Sequence, residues 1–300
     1  MTDFVSEWIA KSGYTAALGV SLETVDGETA LLRLPFGEQN CNPGKALHGG
    51  CAASLAVTGA HAVTRAALGA ESGPWHTAAL QVNYLAAAVA EDVHARAVLL
   101  RRGKEMCFVE VEVGREDGKP IAHATAAVRA RFGAPPADVY TAAGDHGRSD
   151  PGPMGPHVGK MPFTAARGLH VEHMTGGTSR IVMPARAENA DAAGGTHEGA
   201  VLALLDTTGA MAAWATTGPG PYKASTPALQ AHPDAARGRG SHRLRPLRAA
   251  RRGAPLERGR GDQRRRPPRV RARHGDLPDR DVTQGRHPPL RLPDYQSRSV

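Results

Sequence analysis

Two short motifs in the sequence contain the residue types that polarise a carbonyl group. They occupy residues 48–50 (His-Gly-Gly) and 197–199 (His-Glu-Gly), and each precedes a long apolar stretch. Backbone N–H groups at the start of a helix lack partners within the helix, and the helix dipole strengthens them as donors to an oxyanion. Glycine also lets a ligand approach the backbone closely. The first motif therefore predicts a catalytic helix tip formed by Gly50 and His48.

Asp206 is the candidate acid–base group. It stands nine residues after His197 and interrupts an apolar stretch, where a carboxylate is costly unless it is paired or used. Nine helical residues span about 13 Å, so Asp206 cannot serve the start of its own helix. It can serve the start of the other helix if the two helices lie antiparallel. Asp206 would then face Gly50, whereas the reciprocal position, Val57, offers no acid.

Further polar residues around the motifs are candidates for substrate contact. Each asparagine of one matched pair stands eight residues before a motif histidine. The predicted substrate-binding residues are Asn40, Gly49, Thr207, Asn189 and His197. A basic cluster at a predicted strand end could meet ligand phosphates, although a solvated turn is the favoured interpretation; it consists of Arg101, Arg102 and Lys104. No metal-ligand spacing or cofactor fingerprint is found, so we expect neither a metal nor a cofactor.

The motifs belong to a unit that occurs twice, because residues 15–81 recur at residues 164–230 with a constant offset of 149. In the first copy, the turn at Asp26 and Gly27 predicts a hairpin, and an apolar stretch ending at Gly69 predicts one long helix. Alternating residues then predict four further antiparallel strands. The expected fold class is α+β, a curved antiparallel sheet around a long central helix, present in duplicate.

The repeat defines the expected domain boundaries. Copy one occupies residues 1–132, a Pro/Gly-rich linker residues 133–161, and copy two residues 162–231. Copy two is expected to be truncated, since nothing after residue 231 resembles the strands of residues 83–131. The remaining residues, 232–300, form an Arg/Pro/Gly-rich segment.

This C-terminal segment carries the basic charge of the chain. Residues 232–300 contain 19 Arg, no Lys and seven acidic residues, whereas residues 1–231 are mildly acidic. Residues 232–300 have too few apolar side chains to form a packed core, which predicts a disordered tail. A reading-frame change near residue 231 of a GC-rich gene is the favoured explanation. A genuine arm that binds RNA, DNA or acidic lipid is the alternative, to be tested by deleting residues 232–300 and measuring salt-sensitive binding.

The sequence resembles the hotdog-fold acyl-CoA thioesterases of the phenylacetate-pathway type. The resemblance depends on Asn40, residues 48–50, residues 80–85 (Leu-Gln-Val-Asn-Tyr-Leu) and residues 204–208 (Leu-Leu-Asp-Thr-Thr). It covers residues 13–132 as a full unit and residues 162–231 as a partial one. It implies a double hotdog fold and hydrolysis of an acyl-CoA thioester. The carbonyl would be held at the helix N-terminus, with Asp206 as general base or nucleophile.

Two alternatives to this hypothesis remain at the level of sequence. One is a non-catalytic module that binds acyl-CoA, and the other is a nucleic-acid-associated protein that acts through its tail. Loss of the strands in copy two predicts weak hydrolysis or none, and pairing of chains as a homodimer is conceivable. Three cysteines without CxxC spacing and an N-terminus without a signal-peptide pattern predict a cytoplasmic protein, with no membrane span.

Overall fold

The structure is a computed structural model, and it describes residues 3–133, 149–218, 226–231 and 242–243. Residues 134–148 of the expected linker lie outside the described part, as does the expected disordered tail apart from residues 242–243. Both predicted long helices and all predicted strands lie within it. Nucleic-acid binding by the tail therefore stays a prediction.

The turn and alternation patterns of the first half produce three helices and six strands. These are α1 (Asp3–Lys11), α2 (Gly13–Leu18), β1 (Ser21–Val25), β2 (Thr29–Leu34), α3 (Gly49–Leu68), β3 (Trp75–Tyr84), β4 (Val93–Arg102), β5 (Met106–Arg115) and β6 (Pro120–Ala130). The structure thus contains the predicted hairpin, the predicted long helix and the four later strands. Helix α1 was not predicted, although it buries Val5 and Ile9 in the core.

The strands of the first half form an antiparallel sheet around α3, in the order β1-β2-β4-β5-β6-β3. Alternation places Val109 and Val111 in the core and leaves Phe108 exposed, as the period of two requires. The predicted α+β class is thus confirmed. Helix α3 is buried from Gly50 to Thr64, because the sheet covers one side and the second half of the chain covers the other. In the described part, no helix combines the length and the apolarity that crossing a membrane requires.

The second half contains fewer strands than the first in the described part. Its elements are α4 (Gly155–Val158), α5 (Pro162–Arg167), β7 (His170–Thr175), β8 (Thr178–Met183), α6 (Glu198–Thr217), β9 (Ala228–Ala231) and β10 (His242–Arg243). Strands β10, β8 and β7 form a small sheet, whereas β9 joins the large sheet at the edge of β3, where Gln81 pairs with Gln230. The bounds of α5, β8 and α6 follow those of α2, β2 and α3 by the same offset of 149.

Helices α3 and α6 pack antiparallel through reciprocal contacts. A Cβ atom built on Gly50 would lie 2.6 Å from the Ala203 Cα, and one built on Gly199 would lie 2.8 Å from the Ser54 Oγ. The offset of 149 relates these two contacts to each other. The Ser54 hydroxyl also donates to the Gly199 carbonyl across 3.0 Å. The helices therefore approach so closely that glycine is required at both crossing points.

The last part of the expected linker carries regular structure. Helix α4 buries Val158, and Asp150 forms a bridge to His173 in β7. The Met174 N–H donates to the Asp150 carbonyl across 2.8 Å. Proline and glycine in this segment thus shape a packed connection to β7.

The helix crossing predicts an effect of Gly50→Ala on stability. The added methyl group would collide with the Ala203 backbone, so we expect overpacking to lower the free energy of unfolding by about 1–3 kcal/mol. Gly159→Ala is the matched control, because Gly159 has φ −64° and its nearest atom, the Leu169 carbonyl oxygen, would lie 3.6 Å away. Urea unfolding followed by circular dichroism measures both variants. Equal stability of the two variants would contradict the close crossing.

Candidate active site

The first tip, residues 48–50, is held in place by a histidine cap. The His48 Nδ1 accepts a hydrogen bond from the Gly50 N–H across 2.9 Å, and the His48 carbonyl accepts one from the Cys51 N–H across 2.8 Å. The His48 N–H in turn donates to the Asn40 carbonyl across 2.9 Å. Both the entry of the chain into α3 and the orientation of the imidazole are thereby fixed.

This cap determines which nitrogen of His48 carries the proton. Because Nδ1 accepts from a backbone N–H, the neutral ring is protonated on Nε2, which lies 3.3 Å from the Thr207 Oγ1. The Thr207 hydroxyl donates to the Ala203 carbonyl across 2.7 Å, so it can accept from His48. The residue is 4% exposed, its ring stacks on Phe163, and burial lowers the pKa of His48. His48 is therefore a neutral cap of α3.

Asp206 reaches the first tip from α6. Its Oδ2 would lie 2.8 Å from a Cβ atom on Gly49, and the same oxygen is 4.0 Å from the His48 Nδ1. The residue is 7% exposed, and within the described part of the chain its buried Oδ1 has no hydrogen-bond partner. The antiparallel packing thus brings the predicted carboxylate to the predicted tip, and its unused oxygen points to a ligand or water as the missing partner.

The backbone donor at this tip differs from the one predicted. The Gly50 N–H, expected to polarise a carbonyl, is engaged by His48. In the described part of the chain, the Gly49 N–H has no hydrogen-bond partner, and Gly49 is also the residue that Asp206 approaches. The His48 side chain caps the helix by accepting from the Gly50 N–H, which leaves the Gly49 N–H as the available donor.

Tyr84 is a site residue that sequence reasoning did not single out. It ends β3, and its Cε1 would lie 3.5 Å from the same Cβ position on Gly49. Its hydroxyl is buried and has no hydrogen-bond partner among the residues that the structure describes. Burial and, next, the carboxylate of Asp206 raise the pKa of Tyr84, so it stays protonated. The signal was its place in the strand motif of residues 80–85, whose end meets the tip.

The two predicted asparagines organise the loops before the helices. The Asn40 Nδ2 donates to the Leu18 carbonyl across 2.7 Å, and the Asn189 Nδ2 donates to the Arg167 carbonyl across 2.9 Å. The Asn189 carbonyl accepts from the His197 N–H across 2.9 Å, as the Asn40 carbonyl accepts from His48. Their side-chain nitrogens are therefore engaged within the protein, which leaves substrate contact by Asn40 and Asn189 as a prediction.

The second tip, residues 197–199, has the same histidine cap but different neighbouring side chains. The His197 Nδ1 accepts from the Gly199 N–H across 3.0 Å. The Glu198 carboxylate accepts from the Thr77 N–H across 3.2 Å and lies 3.1 Å from the His61 Nε2. A cavity of about 30 Å³ remains beside Glu198, lined also by Val57, His61 and His197. The Glu198 side chain thus occupies part of the second tip and is bound there by protein groups.

The predicted phosphate-binding cluster lies far from the first tip. Tyr84 is aligned across β6 and β5 with Ala95 of β4. Arg101 and Arg102 follow Ala95 by six and seven residues, which corresponds to about 20 Å along the strand. These two arginines and Lys104 are exposed, which agrees with the favoured interpretation as a solvated turn.

Comparison with known proteins identifies a partial similarity. Residues 38–129 match a family profile described as "Acyl-CoA thioesterase N-terminal domain". A thioesterase from Haemophilus influenzae is 17% identical, over 43% of this chain and 89% of that chain, with a TM-score of 0.40. A conserved protein from Pseudomonas aeruginosa is 28% identical, over 39% of this chain and 93% of that chain, with a TM-score of 0.37. A hypothetical thioesterase from Streptococcus pneumoniae, solved with coenzyme A, is 16% identical, over 40% and 91%, with a TM-score of 0.36.

No curated protein matches the chain. The matched profile includes the first tip and Tyr84, and it ends well before Asp206. Similarity therefore reaches the part of the candidate site that the first half supplies. The assignment of Asp206 depends on the geometry alone.

The cap of the second tip predicts a pH dependence of stability. Burial lowers the pKa of His197 to about 4, with Glu198, His61, Asp191 and Arg65 as the charged neighbours. Protonation of His197 then favours the unfolded chain. The contribution of His197 to the free energy of unfolding is therefore fully present above about pH 6.5, and up to about 3 kcal/mol is lost as the pH drops toward 4. His197→Asn keeps a cap acceptor without this titration, and we expect its free energy of unfolding to fall less over that range. An equally steep fall in both proteins, measured by urea unfolding at each pH, would contradict this assignment.

Proposed function

We propose that the protein hydrolyses acyl-CoA thioesters at the first tip. The observation that carries this proposal is the buried, partnerless Oδ1 of Asp206, whose other oxygen lies against Gly49. Buried carboxylate oxygens without partners are rare outside functional sites, because desolvation without a hydrogen bond is costly. The thioesterase profile matched by residues 38–129 supports the choice of substrate class.

We further propose that the two halves are copies of one hotdog unit. The reciprocal contacts of Gly50 with Ala203 and of Gly199 with Ser54 support this, as does the direct pairing of Gln81 with Gln230 in the sheet. Such reciprocity is the property of an isologous interface between equivalent units. One chain then contains two tips, of which the one at Asp206 has the acid.

In the proposed mechanism Asp206 acts as general base on a water molecule. Its carboxylate takes a proton from the water as the water oxygen bonds to the thioester carbon, and the carbonyl electron pair moves to the oxygen. The Gly49 N–H and the positive end of the α3 dipole face that oxyanion. When the carbonyl re-forms, the C–S bond breaks and the thiolate takes the proton from Asp206, which gives a carboxylic acid and free coenzyme A.

Asp206→Asn tests this function, because the amide has nearly the same shape and cannot take the proton. We expect kcat to fall by at least about 10²-fold, with the fold retained. The measurement is thiol release from acetyl-, octanoyl- and benzoyl-CoA, together with circular dichroism.

Glu198→Gln is the matched control at the second tip, since a glutamine can still accept from the Thr77 N–H and keeps the shape of the side chain. We expect it to leave hydrolysis unchanged. Loss of hydrolysis in Glu198→Gln with retention in Asp206→Asn would move the active site to the second tip. Binding of these thioesters without thiol release would favour the non-catalytic binding module. The expectation of weak hydrolysis in this chain stays a prediction of the same assay.

A further inference from the structure

The first tip lacks a second donor for the developing oxyanion. A tetrahedral thioester intermediate carries a full negative charge on one oxygen, which is commonly stabilised by two hydrogen bonds. The Gly50 N–H is bound to His48 and the Cys51 N–H to the His48 carbonyl, so the backbone offers the Gly49 N–H. The His48 Nε2 proton faces Thr207. A further donor must therefore come from another element.

The end of β3 supplies such a group. The Tyr84 ring and the Asp206 carboxylate both approach the side of Gly49 that a Cβ atom would occupy, at 3.5 Å and 2.8 Å. The Tyr84 hydroxyl and the Asp206 Oδ1 are both buried, and neither has a hydrogen-bond partner in residues 3–133, 149–218 or 226–231. The Tyr84 hydroxyl can donate a hydrogen bond, and the Asp206 carboxylate can accept one. Hydrolysis needs both, a donor to the oxyanion and a base for the water.

We propose that the Tyr84 hydroxyl is the second oxyanion donor of the site, a catalytic residue that hydrogen-bonds the thioester carbonyl oxygen together with the Gly49 N–H. This inference rests on the proposed thioesterase function. The hydroxyl keeps its proton throughout: it donates to the carbonyl oxygen in the ground state and more strongly to the oxyanion, while Asp206 carries the proton taken from water. No atom is transferred to or from Tyr84.

Protonation of Tyr84 fits this role. Burial and the neighbouring carboxylate both oppose the phenolate and raise the pKa of Tyr84, so the hydroxyl is a neutral donor. A phenolate would repel the oxyanion, and a donor already bound within the protein would have to exchange partners. The Tyr84 hydroxyl carries no charge and does not have to give up a hydrogen bond within the protein.

Tyr84→Phe tests the proposal, because it removes only the hydroxyl. We expect kcat for acetyl-, octanoyl- and benzoyl-CoA to fall by about 10²-fold, with KM little changed. The melting temperature should stay constant or rise, since the variant removes a buried polar group that has no partner in the protein. A merely structural tyrosine would show the opposite pattern, with lost stability and retained kcat.

Tyr14→Phe is the matched control. The Tyr14 hydroxyl lies 2.9 Å from the Ser54 Oγ and donates to the Gly199 carbonyl across 3.3 Å, so its hydrogen bonds are internal to the protein. We expect this variant to melt at a lower temperature and to keep its kcat. The pair separates the loss of an internal hydrogen bond from the loss of a donor to substrate.

A binding measurement provides a readout that does not require turnover. One probe is a coenzyme A ketone, in which a methylene separates the sulfur from the carbonyl, and the other is the alkyl thioether without the carbonyl. Wild type should prefer the ketone, and Tyr84→Phe should lose about tenfold of that preference. Tyr14→Phe should keep it.

The outcomes separate the two proposals. If Asp206→Asn abolishes hydrolysis while Tyr84→Phe retains both its kcat and its ketone preference, Tyr84 is not an oxyanion donor and the thioesterase function stands. If the chain binds the probes without hydrolysing thioesters, the ketone preference alone decides the role of Tyr84. If the chain neither hydrolyses the thioesters nor binds either probe, the proposed function is wrong, and the role of Tyr84 falls with it.

Discussion

The close antiparallel crossing of α3 and α6 is the constraint on which the candidate site depends. Gly50 packs on Ala203 at one end, and Ser54 donates to the Gly199 carbonyl at the other. Residues three and four apart share one helix face, so a helix held by Ala203 must also turn Asp206 and Thr207 toward the first tip. Asp206 then meets Gly49, and Thr207 meets the histidine cap. A larger residue at either glycine would separate the helices and move the carboxylate away from the tip.

The two tips differ at two corresponding positions, and these differences change what each tip faces. Where the first tip has Gly49 facing Asp206, the second has Glu198 facing Val57. Beside Gly49 the Asp206 carboxylate and the Tyr84 ring approach the backbone, whereas at the second tip Glu198 supplies its own carboxylate. That carboxylate accepts from the Thr77 N–H and contacts His61, so the buried charge is stabilised by the protein itself. The same histidine cap therefore supports one tip that faces a carboxylate from the other helix and one tip that carries its own carboxylate.

Much of the fold and half of the site could be predicted from the sequence. The offset of 149 and the helix length were sufficient to place Asp206 beside the other helix, because helical rise is a constant. The sequence predicted Gly50 as the backbone donor, whereas the cap engages its N–H, because the acceptor position depends on the rotamer of His48. Tyr84 was missed because strand alternation gives the face of a residue but not what lies at the end of the strand. The distance of Arg101 and Arg102 from the tip depends on registers across four strands, which no local pattern specifies.

The polar groups of the two tips differ in a way that packing alone does not explain. Leaving a buried donor or acceptor without a partner costs about 1–3 kcal/mol, and sequences selected only for stability would remove such groups. At the second tip the glutamate and the caps have protein partners. At the first tip an acceptor on Asp206 and a donor on Tyr84 have no partner in the described part of the chain, and the carboxylate and the ring that carry them both approach Gly49. Under the proposed function, a bound thioester and its attacking water would satisfy both groups at once, and the cost borne by the free protein would be recovered on binding.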